Sequence, residues 1–380
     1  MSELLPGRAT REGTGAFRDR FAALPGHFRD PDGLWLSSLG LGTRAGAPGG
    51  ADDLLYRQAL ALCLERGVNV IDTALSFRAQ QSERCVGAAL RRAIAEGRIR
   101  REEIFVITKG GVLTVDPFAI RSATDARRYL LETYVHSGLV DPERVVAGDH
   151  TLEPAFLRDQ IERSRRNLGL ETIDLYCIQE PELQLHAFGP TGFREILTRA
   201  IETLESAVAD GAIAAWGLST WSGLLIPYTE RGHLSVMELF ELALEVGGPD
   251  HHLRGIQLPY GLGLGDALAE PSQFGSLDPD QARAVSVLEE LRDTGTAVFA
   301  VAPLVRGRAA RGLPDWVRQA LQGCKTDAQR CLQFARSTPG IDCALVGMRE
   351  ETHVEENLAV AMQEPTEPEV ISELFDRARG

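Results

Sequence analysis

Residues 68–90, VNVIDTALSFRAQQSERCVGAAL, contain one complete strand, turn and helix. The stretch begins with a short β-branched run, turns at Asp72 and continues with the apolar spacing of a helix. Ser82 and Glu83 are typical of a helix start, because a hydroxyl side chain and a negative charge both stabilise the exposed backbone N–H groups there. The stretch therefore predicts a β-strand joined to an α-helix by a polar turn.

The same pattern recurs along the chain, where seven more short apolar runs alternate with longer amphipathic segments. These runs are LWLSSLGLGT (34–43), IFVITKGG (104–111), IDLYCIQEPE (173–182), IAAWGLSTWS (213–222), LRGIQLPYGL (253–262), TAVFAVAPLV (296–305) and CALVGMRE (343–350). Apolar strands separated by helices indicate a parallel sheet covered on both faces, and eight such units favour barrel closure. We therefore expect an α/β fold, a (β/α)8 TIM barrel.

The predicted helices and loops divide the chain as follows. We expect one domain over residues 1–380, with an N-terminal extension at 1–30 and a long loop after the third strand at 112–153. Later helices are predicted at 194–210, near 235–245, and at 280–294, 326–337 and 350–361, with an acidic tail after the last. A connection as long as 112–153 is usually functional in a compact domain.

Composition excludes several classes of protein. The 380 residues carry a formal net charge of −14, which disfavours nucleic acid or an anionic membrane as partner. No apolar run approaches a membrane span, and the polar N-terminus lacks a secretory signal, so we expect a cytoplasmic protein. The six cysteines show no metal-ligand spacing and are predicted to be reduced, buried thiols, with no metal site.

Polar residues end several of the predicted strands. In a (β/α)8 barrel the carboxyl ends of the strands form the active site, so such residues are candidates for chemistry. Asp72 and Lys109 end the second and third strands, and Gln179 ends the fourth. An aspartate and a lysine in one barrel mouth would pair, and the lysine's proton affinity would be set by that neighbour. The alternative is a salt bridge that only closes the barrel end.

The order of these residues resembles the aldo-keto reductase family. The family has an aspartate, a loop tyrosine and a serine–glutamate pair after its second strand, and this chain keeps Asp72, Ser82 and Glu83. Phe77 stands where the family has tyrosine, and Gln179 in YCIQEP stands where it has histidine. The likeness continues through GLSTWS (217–222), IQLPY (256–260) and STPGIDCALVGMREETHVEENL (337–358), and so covers nearly the whole chain.

The resemblance implies NADP(H) bound across the barrel mouth, with hydride passed to a carbonyl carbon. Matching residues imply contacts to the nicotinamide amide, the pyrophosphate and the adenosine 2′-phosphate, and favour NADP over NAD. The implied cofactor-binding residues are Ser219, Thr220 and Gln257, then Leu304, Arg306 and Gly307, and finally Gly347, Arg349, His353, Glu356 and Asn357. The family's ring-stacking aromatic falls at Val301 and a common serine falls at Ala302, so binding is expected to weaken there.

The two replaced residues change the expected chemistry. In the family the tyrosine donates a proton to the carbonyl oxygen, and Phe77 has no group to donate. Loss of a general acid costs about 10²–10⁴ in rate. Gln179 still offers an N–H but cannot cycle a proton. Hydride transfer by the family's usual route is therefore expected to be impaired.

Other residues are candidates for the missing proton donor. The 112–153 loop, where some relatives carry a substrate-covering segment, offers Tyr134, His136 and His150. The alternative for His150 is that it packs the loop onto the barrel. Glu180 adjoins Gln179, although strand alternation predicts that these two neighbours point to opposite faces.

Three functions remain open from the sequence. The first is an NADP-dependent oxidoreductase that acts on a small carbonyl or related unsaturated molecule with a non-standard proton donor. The second is a non-redox lyase, dehydratase or cyclase that uses Lys109 and Asp72 as its acid–base pair. The third is a nucleotide-binding protein without turnover. The intact 2′-phosphate segment favours the first and third, whereas Val301 and Ala302 favour the second.

Overall fold

The computed structural model describes residues 4–275 and 283–379 and shows a closed barrel of eight parallel strands. The barrel strands are β3 (Leu39–Gly42), β4 (Val70–Asp72), β5 (Phe105–Gly110), β6 (Leu175–Gln179), β7 (Trp216–Ser219), β8 (Leu253–Pro259), β11 (Ala297–Val301) and β12 (Cys343–Gly347). They follow one another around the barrel in chain order, and β12 closes onto β3. Outside it, β1 (Phe28–Arg29) pairs with β2 (Leu36–Ser37), and β9 (Gln273–Phe274) with β10 (Ala284–Val285).

The helices alternate with the barrel strands. The α-helices are α1 (Arg11–Arg20), α2 (Gly50–Glu65), α3 (Gln81–Ala95), α4 (Ala123–Leu130), α5 (Pro154–Leu168), α6 (Glu182–Ala209), α7 (Val236–Gly247), α8 (Asp266–Ala269), α9 (Val287–Leu291), α10 (Asp315–Ala320), α11 (Asp327–Ser337), α12 (Glu351–Leu358) and α13 (Pro368–Arg379). Helix α6 is kinked at Gly189, whose φ is +68°, just before Pro190. The predicted (β/α)8 barrel is therefore confirmed.

Two parts of the helix prediction are wrong. In place of a helix over 280–294, the structure has strand residues Ala284–Val285 and then the short helix α9, which begins after Ser286. The Ser286 side chain accepts from the N–H of Glu289 and so caps that later start. Residues 280–282 of that prediction lie outside the described residues. The acidic tail also differs, because it folds into α13, which buries Ile371 and Leu374.

The side chains inside the barrel separate into layers. Alternate residues of each strand point inward, so Phe105, Ile107 and Lys109 of β5 share the inner face. Phe105 and Phe299 stack with their ring centroids 6.2 Å apart and belong to a buried cluster inside the barrel. Lys109 follows above them on the same strand. The barrel is thus packed below and polar at the carboxyl end of its strands.

The helices close onto the strands with little spare space. At Gly87 of α3, an added Cβ would lie 2.4 Å from the backbone oxygen of Leu168 at the end of α5. Only glycine allows this approach, which explains its place in the sequence after Ser82 and Glu83. Ser82 Oγ donates to Thr43 O at 2.6 Å and ties α3 to the residue that follows β3.

The 112–153 segment forms a small core together with α5. Tyr134, Val140 and Phe156 are buried together, and the rings of Tyr134 and Phe156 meet edge to face at 5.4 Å. The segment contains α4 and is joined to the end of β5 by the pairing of Val112 with His150.

All six cysteines are free and buried, as expected. Among the described residues, no helix is both long enough and apolar enough to cross a membrane.

Candidate active site

A buried ion pair lies at the mouth of the barrel. Nζ of Lys109 donates to Asp72 Oδ1 at 2.5 Å and to the carbonyl oxygen of Thr73 at 2.8 Å, and both charged side chains are buried. Lys109 and Lys325 are the only two lysines among the 40 basic residues of the sequence. Arginine serves almost everywhere else, so position 109 is one of two that use a compact ammonium.

Gln257 of β8 completes a three-residue network with this pair. Its Nε2 donates to Asp72 Oδ1 at 2.7 Å. Its Oε1 is buried and has no hydrogen-bond partner in the described part of the chain. A buried amide oxygen without a donor is costly, so this atom is suited to receive an N–H from a bound molecule. A nicotinamide carboxamide carries such a donor, which agrees with the contact implied for Gln257.

Phe77 lies over the ion pair. Nζ of Lys109 is 4.8 Å from the centroid of the Phe77 ring, and Cζ of Arg44 is 6.0 Å from it. The aromatic ring therefore sits between two cations, at distances where its π face attracts both. Phe77 offers a surface at this point of the mouth but no proton.

An unusual backbone turn holds Phe77 in place. The next three residues, Arg78, Ala79 and Gln80, all have φ between +49° and +73°. Successive left-handed residues other than glycine are costly and persist only where the surroundings fix them. Arg78 does so, since its buried guanidinium pairs with Asp53, donates to the carbonyl of Ala47 at 2.8 Å and approaches Cys85 Sγ.

Gln179 faces the same mouth from β6. It is in register with Ser219 of β7, which in turn is in register with Gln257 of β8, so the three form one inward row. Ser76 Oγ donates to Gln179 Oε1 at 3.1 Å. This leaves the amide nitrogen of Gln179 without a partner among the described residues, as a neutral donor for a substrate oxygen.

His150 is not a free proton donor. It is fully buried, its Nε2 lies 2.7 Å from the backbone oxygen of Gln179, and its Nδ1 lies 2.9 Å from Nε2 of Gln184. One nitrogen therefore donates and the other accepts. Burial lowers the pKa of His150, so the ring stays neutral. These contacts favour the alternative, that His150 fastens the 112–153 loop to the barrel.

The loop's other two candidates are a buried, hydrogen-bonded tyrosine and an exposed histidine. Tyr134 is fully buried and donates its hydroxyl to the carbonyl of Thr114 at 2.7 Å, and burial raises its pKa. His136 is exposed beyond the turn at 131–135.

Strand geometry ends before Glu180, so strand alternation does not fix the direction of its side chain. Its φ of +48° turns the chain out of the strand, and its N–H donates to Ser219 O at 2.7 Å. The half-buried carboxyl has no hydrogen bond or ion pair among the described residues. Burial raises the pKa of Glu180, the nearby Glu182 and Asp149 raise it further, and Arg44 opposes them.

Glu182 was not expected from the sequence. Its buried Oε1 accepts from Thr220 Oγ1 at 2.8 Å and from backbone N–H groups of the turn that follows β7, beginning with Trp221 N at 2.8 Å. The Thr220 hydroxyl is thereby used inside the protein, and the structure does not leave it free for a nicotinamide. The hydroxyl of Ser219 has no partner in the described chain and remains available. An acidic residue three positions after the end of β6 was the only available sequence signal for Glu182.

Val301 and Ala302 stand where the resemblance implies a ring-stacking aromatic and a serine. Val301 ends β11 and Ala302 follows it with a φ of +54°. Both are partly exposed at the mouth. An aliphatic side chain there offers contact to a ring but no stacking face.

The turn after β11 carries an exposed arginine and residues with positive φ. Arg306 and Gly307 are exposed with φ of +56° and +84°, following the partly buried Leu304. Arg306 has no ion pair within the described residues, and nothing lies within 4 Å of where a Cβ of Gly307 would be. This arrangement leaves space and a free guanidinium for a phosphate.

Only some of the implied cofactor-binding residues at the end of β12 and beyond it are free to contact a ligand. Arg349 donates to Asp52 Oδ1 at 2.8 Å, so the implied phosphate ligand is already paired. His353 is exposed on the first turn of α12 and Gly347 is exposed at the end of β12. Glu356 is partly exposed, although its carbonyl accepts from Gln329. Asn357 is buried, and its amide has no hydrogen bond among residues 4–275 and 283–379.

A closed barrel with an Asp–Lys pair at the carboxyl ends of its strands has the architecture of a (β/α)8 barrel enzyme. Comparison with known proteins identifies the family. The Aldo/keto reductase family model matches residues 38–226. The chain belongs to the aldo-keto reductase family.

Curated relatives match over part of their length. Human aldo-keto reductase family 1 member C2 is 29% identical over 150 residues, which are 40% of this chain and 33% of that protein. The NADH-specific methylglyoxal reductase of Escherichia coli (strain K12) is 25% identical over 211 residues, which are 54% of this chain and 55% of that protein. The chain thus matches about a third to a half of the length of these relatives.

Solved structures share the fold. Aldo-keto reductase AKR11C1 from Bacillus halodurans (holo form) gives a TM-score of 0.60 at 19% identity, covering 91% of this chain and 95% of that one. An aldo/keto reductase from Klebsiella pneumoniae in complex with NADP and acetate gives 0.56 at 21% identity, with coverage of 91% and 92%.

Proposed function

We propose that the protein is an NADP(H)-dependent oxidoreductase that reduces a small carbonyl or related unsaturated molecule, with Glu180 as its proton donor. The carrying observation is the buried, unpartnered Oε1 of Gln257 beside the Asp72–Lys109 pair. The ring of such a cofactor would be held there by Gln257 and Ser219, and its phosphates by Arg306 and the backbone at Gly307. We further propose that residues 1–380 act as one domain and that the 112–153 loop borders the substrate.

Membership of the family supports this proposal, as do the names of its relatives. The Klebsiella pneumoniae structure contains NADP, and the Escherichia coli relative is named an NADH-specific reductase of methylglyoxal. The fit is incomplete at two positions, because Thr220 is used by Glu182 and Val301 lacks an aromatic face. We therefore expect weaker holding of the nicotinamide ring than of the phosphates.

When bound, reduced nicotinamide supplies hydride to the substrate's carbonyl carbon. The carbonyl π electrons then move to the oxygen, which needs a proton. Gln179 donates its N–H to that oxygen, and Lys109 lends positive charge from below the Phe77 ring. Glu180 transfers its carboxyl proton, becomes a carboxylate and recovers a proton from water.

Elimination among the described candidates favours Glu180. His150 and Tyr134 have their polar atoms in hydrogen bonds, and two of the three Lys109 protons are already donated. Glu180 combines an unpaired carboxyl, a position beside Gln179 and a raised pKa that keeps the proton on it closer to neutral pH.

The direct test is a titration of the protein with NADPH, followed by nicotinamide fluorescence and then by NADPH oxidation with a panel of aldehydes and ketones. We expect saturable binding and turnover of at least one carbonyl. Binding without any turnover would favour the nucleotide-binding alternative. Absence of binding at high micromolar NADPH would contradict the proposal and favour the non-redox chemistry of Lys109 and Asp72.

A further inference from the structure

Arg349 and Asp52 form an ion pair between the end of β12 and the start of α2. Nη1 of Arg349 lies 2.8 Å from Oδ1 of Asp52, and the two side chains are 35% and 18% exposed. Their positions in the sequence are 297 residues apart. The pair is therefore a tertiary contact in a partly water-excluded place, where charge interactions are stronger than on an open surface.

The surrounding loop is shaped around this pair. The second oxygen of Asp52 accepts from the N–H of Ala47 at 2.7 Å. A Cβ added to Gly46, whose φ is +100°, would lie 2.7 Å from that oxygen and 3.0 Å from Nη1 of Arg349. Tyr56 holds the same loop by donating its hydroxyl to Ala45 O at 2.8 Å. Both oxygens of Asp52 are thus engaged, and the loop leaves room for no larger residue at 46.

A phosphate is expected to approach this pair. Barrels of this architecture frequently bind phosphate with the loops after their last two strands and the start of a following helix. Here those loops carry Arg306 and Arg349, and α12 begins at Glu351 just beyond Arg349. A 2′-phosphate at Arg349 would meet the Asp52 carboxylate, which repels it and already neutralises the guanidinium. A ribose 2′-hydroxyl would instead find an acceptor.

We propose that Asp52 is a specificity-determining residue that brings the affinities for NADH and NADPH closer together by competing with the 2′-phosphate for Arg349. This inference rests on the proposed function, since it assumes that the barrel mouth takes a nicotinamide dinucleotide. It goes beyond that proposal by assigning the choice between the two dinucleotides to a residue outside the β12–α12 segment.

The experiment measures dissociation constants of NADPH and NADH by fluorescence titration for the native protein and for Asp52→Asn. Asparagine keeps an oxygen for the N–H of Ala47 while removing the charge. We expect Asp52→Asn to tighten NADPH at least tenfold and to leave NADH within threefold. Glu65→Gln removes a carboxylate from the other end of α2, where Glu65 pairs with Arg98 on the surface, and should change neither constant.

A second variant makes the test independent of how well Asp52→Asn folds. Arg349→Met should weaken NADPH at least tenfold with little change for NADH, and adding Asp52→Asn to it should no longer tighten NADPH. If the NADPH to NADH ratio is the same in the native protein and Asp52→Asn, the role of Asp52 is overturned while the proposed function stands. If neither dinucleotide binds the native protein, both are overturned.

Discussion

The ammonium of Lys109 faces the ring of Phe77 at 4.8 Å, where the family has a tyrosine. Two of its protons go to Asp72 and Thr73, so the remaining N–H lies toward this side of the mouth. The charged residues that would support a proton-donating tyrosine are present, although the tyrosine itself is replaced by Phe77. This relationship separates what the barrel still provides, a buried charge and a fixed aromatic surface, from the proton that must come from another residue.

Restoring the replaced pair should restore the family's usual chemistry. Phe77→Tyr with Gln179→His places a hydroxyl beside Lys109, and we expect kcat/KM for a simple aldehyde to rise about 10²-fold or more, since a general acid contributes about that much. Steady-state NADPH oxidation measures it. Gln179→His alone, which lacks the hydroxyl, is the control and should give no rise. If the double variant binds NADPH normally but its kcat/KM does not rise, Asp72 and Lys109 do not support a tyrosine acid in this protein.

Removing the ammonium should stop turnover without removing the cofactor. Lys109→Met is expected to lower kcat about 10²-fold or more, because charge developing on the substrate oxygen loses its stabilisation, while the NADPH dissociation constant stays nearly the same. Lys325→Met is the matched control, since Lys325 is the chain's other lysine and is exposed. Equal kcat in Lys109→Met and the native protein would take Lys109 out of the mechanism.

Glu180→Gln tests the proposed proton donor. We expect kcat to fall about 10²–10⁴-fold. In the native protein the reduction rate should decline as pH rises through the raised pKa of Glu180, because the carboxyl must be protonated to donate. That limb should be missing in Glu180→Gln and kept in Glu180→Asp.

A rescue experiment distinguishes an acid from a merely structural Glu180. Phe77→Tyr added to Glu180→Gln should recover most of the lost rate. Glu195→Gln, an exposed change on α6, the helix that follows Glu180, should behave like the native protein. A Glu180→Gln variant with native kcat and an unaltered pH profile would exclude Glu180 as the donor.

His27 should make the fold sensitive to acid. The ring is buried, with Nδ1 3.1 Å from Ser38 Oγ and Nε2 3.1 Å from the carbonyl of Gly67. Burial, with Arg336 nearby, lowers its pKa to about 3. A folded-state pKa below the unfolded value means that the unfolded chain takes up the proton first, so stability is present above about pH 6.5 and is lost as pH falls toward 3.

Urea unfolding at pH 7, 6, 5 and 4 measures this loss. His27 should contribute a slope of up to about 1.4 kcal/mol per pH unit below pH 6.5. His27→Gln does not titrate there, so it should be less stable than the native protein at pH 7 and the difference should shrink with acid. A difference that stays constant from pH 7 to 4 would contradict the assignment.

Strand periodicity was enough to predict much of this molecule. Alternation and strand order place Asp72, Lys109 and Gln179 at one end of the barrel, and the structure brings Asp72 and Lys109 into contact. The same rule does not apply to Glu180, because its backbone leaves the strand at φ +48°, which a strand pattern does not encode.

Other features depend on contacts between distant parts of the chain. The pairing of Asp52 with Arg349 depends on how the first and last strands meet, and a sequence pattern carries no such distance. The same is true of His150, whose two partners lie at the start of α6 and the end of β6. The helix predicted over 280–294 is too long, because amphipathic spacing does not show that Ser286 caps the helix and so sets its start.

The barrel interior has two layers along its axis. The stacked rings of Phe105 and Phe299 form the lower layer, and the Lys109 network forms the layer at the mouth. Substitutions at the mouth therefore leave the packing of the lower apolar layer unchanged. Selection for stability alone is enough to keep that layer. A lineage can lose its tyrosine and histidine, pass through versions with little activity and still encode a folded barrel. The architecture makes a change of chemistry evolutionarily accessible, because inheritance of the scaffold does not require inheritance of the reaction.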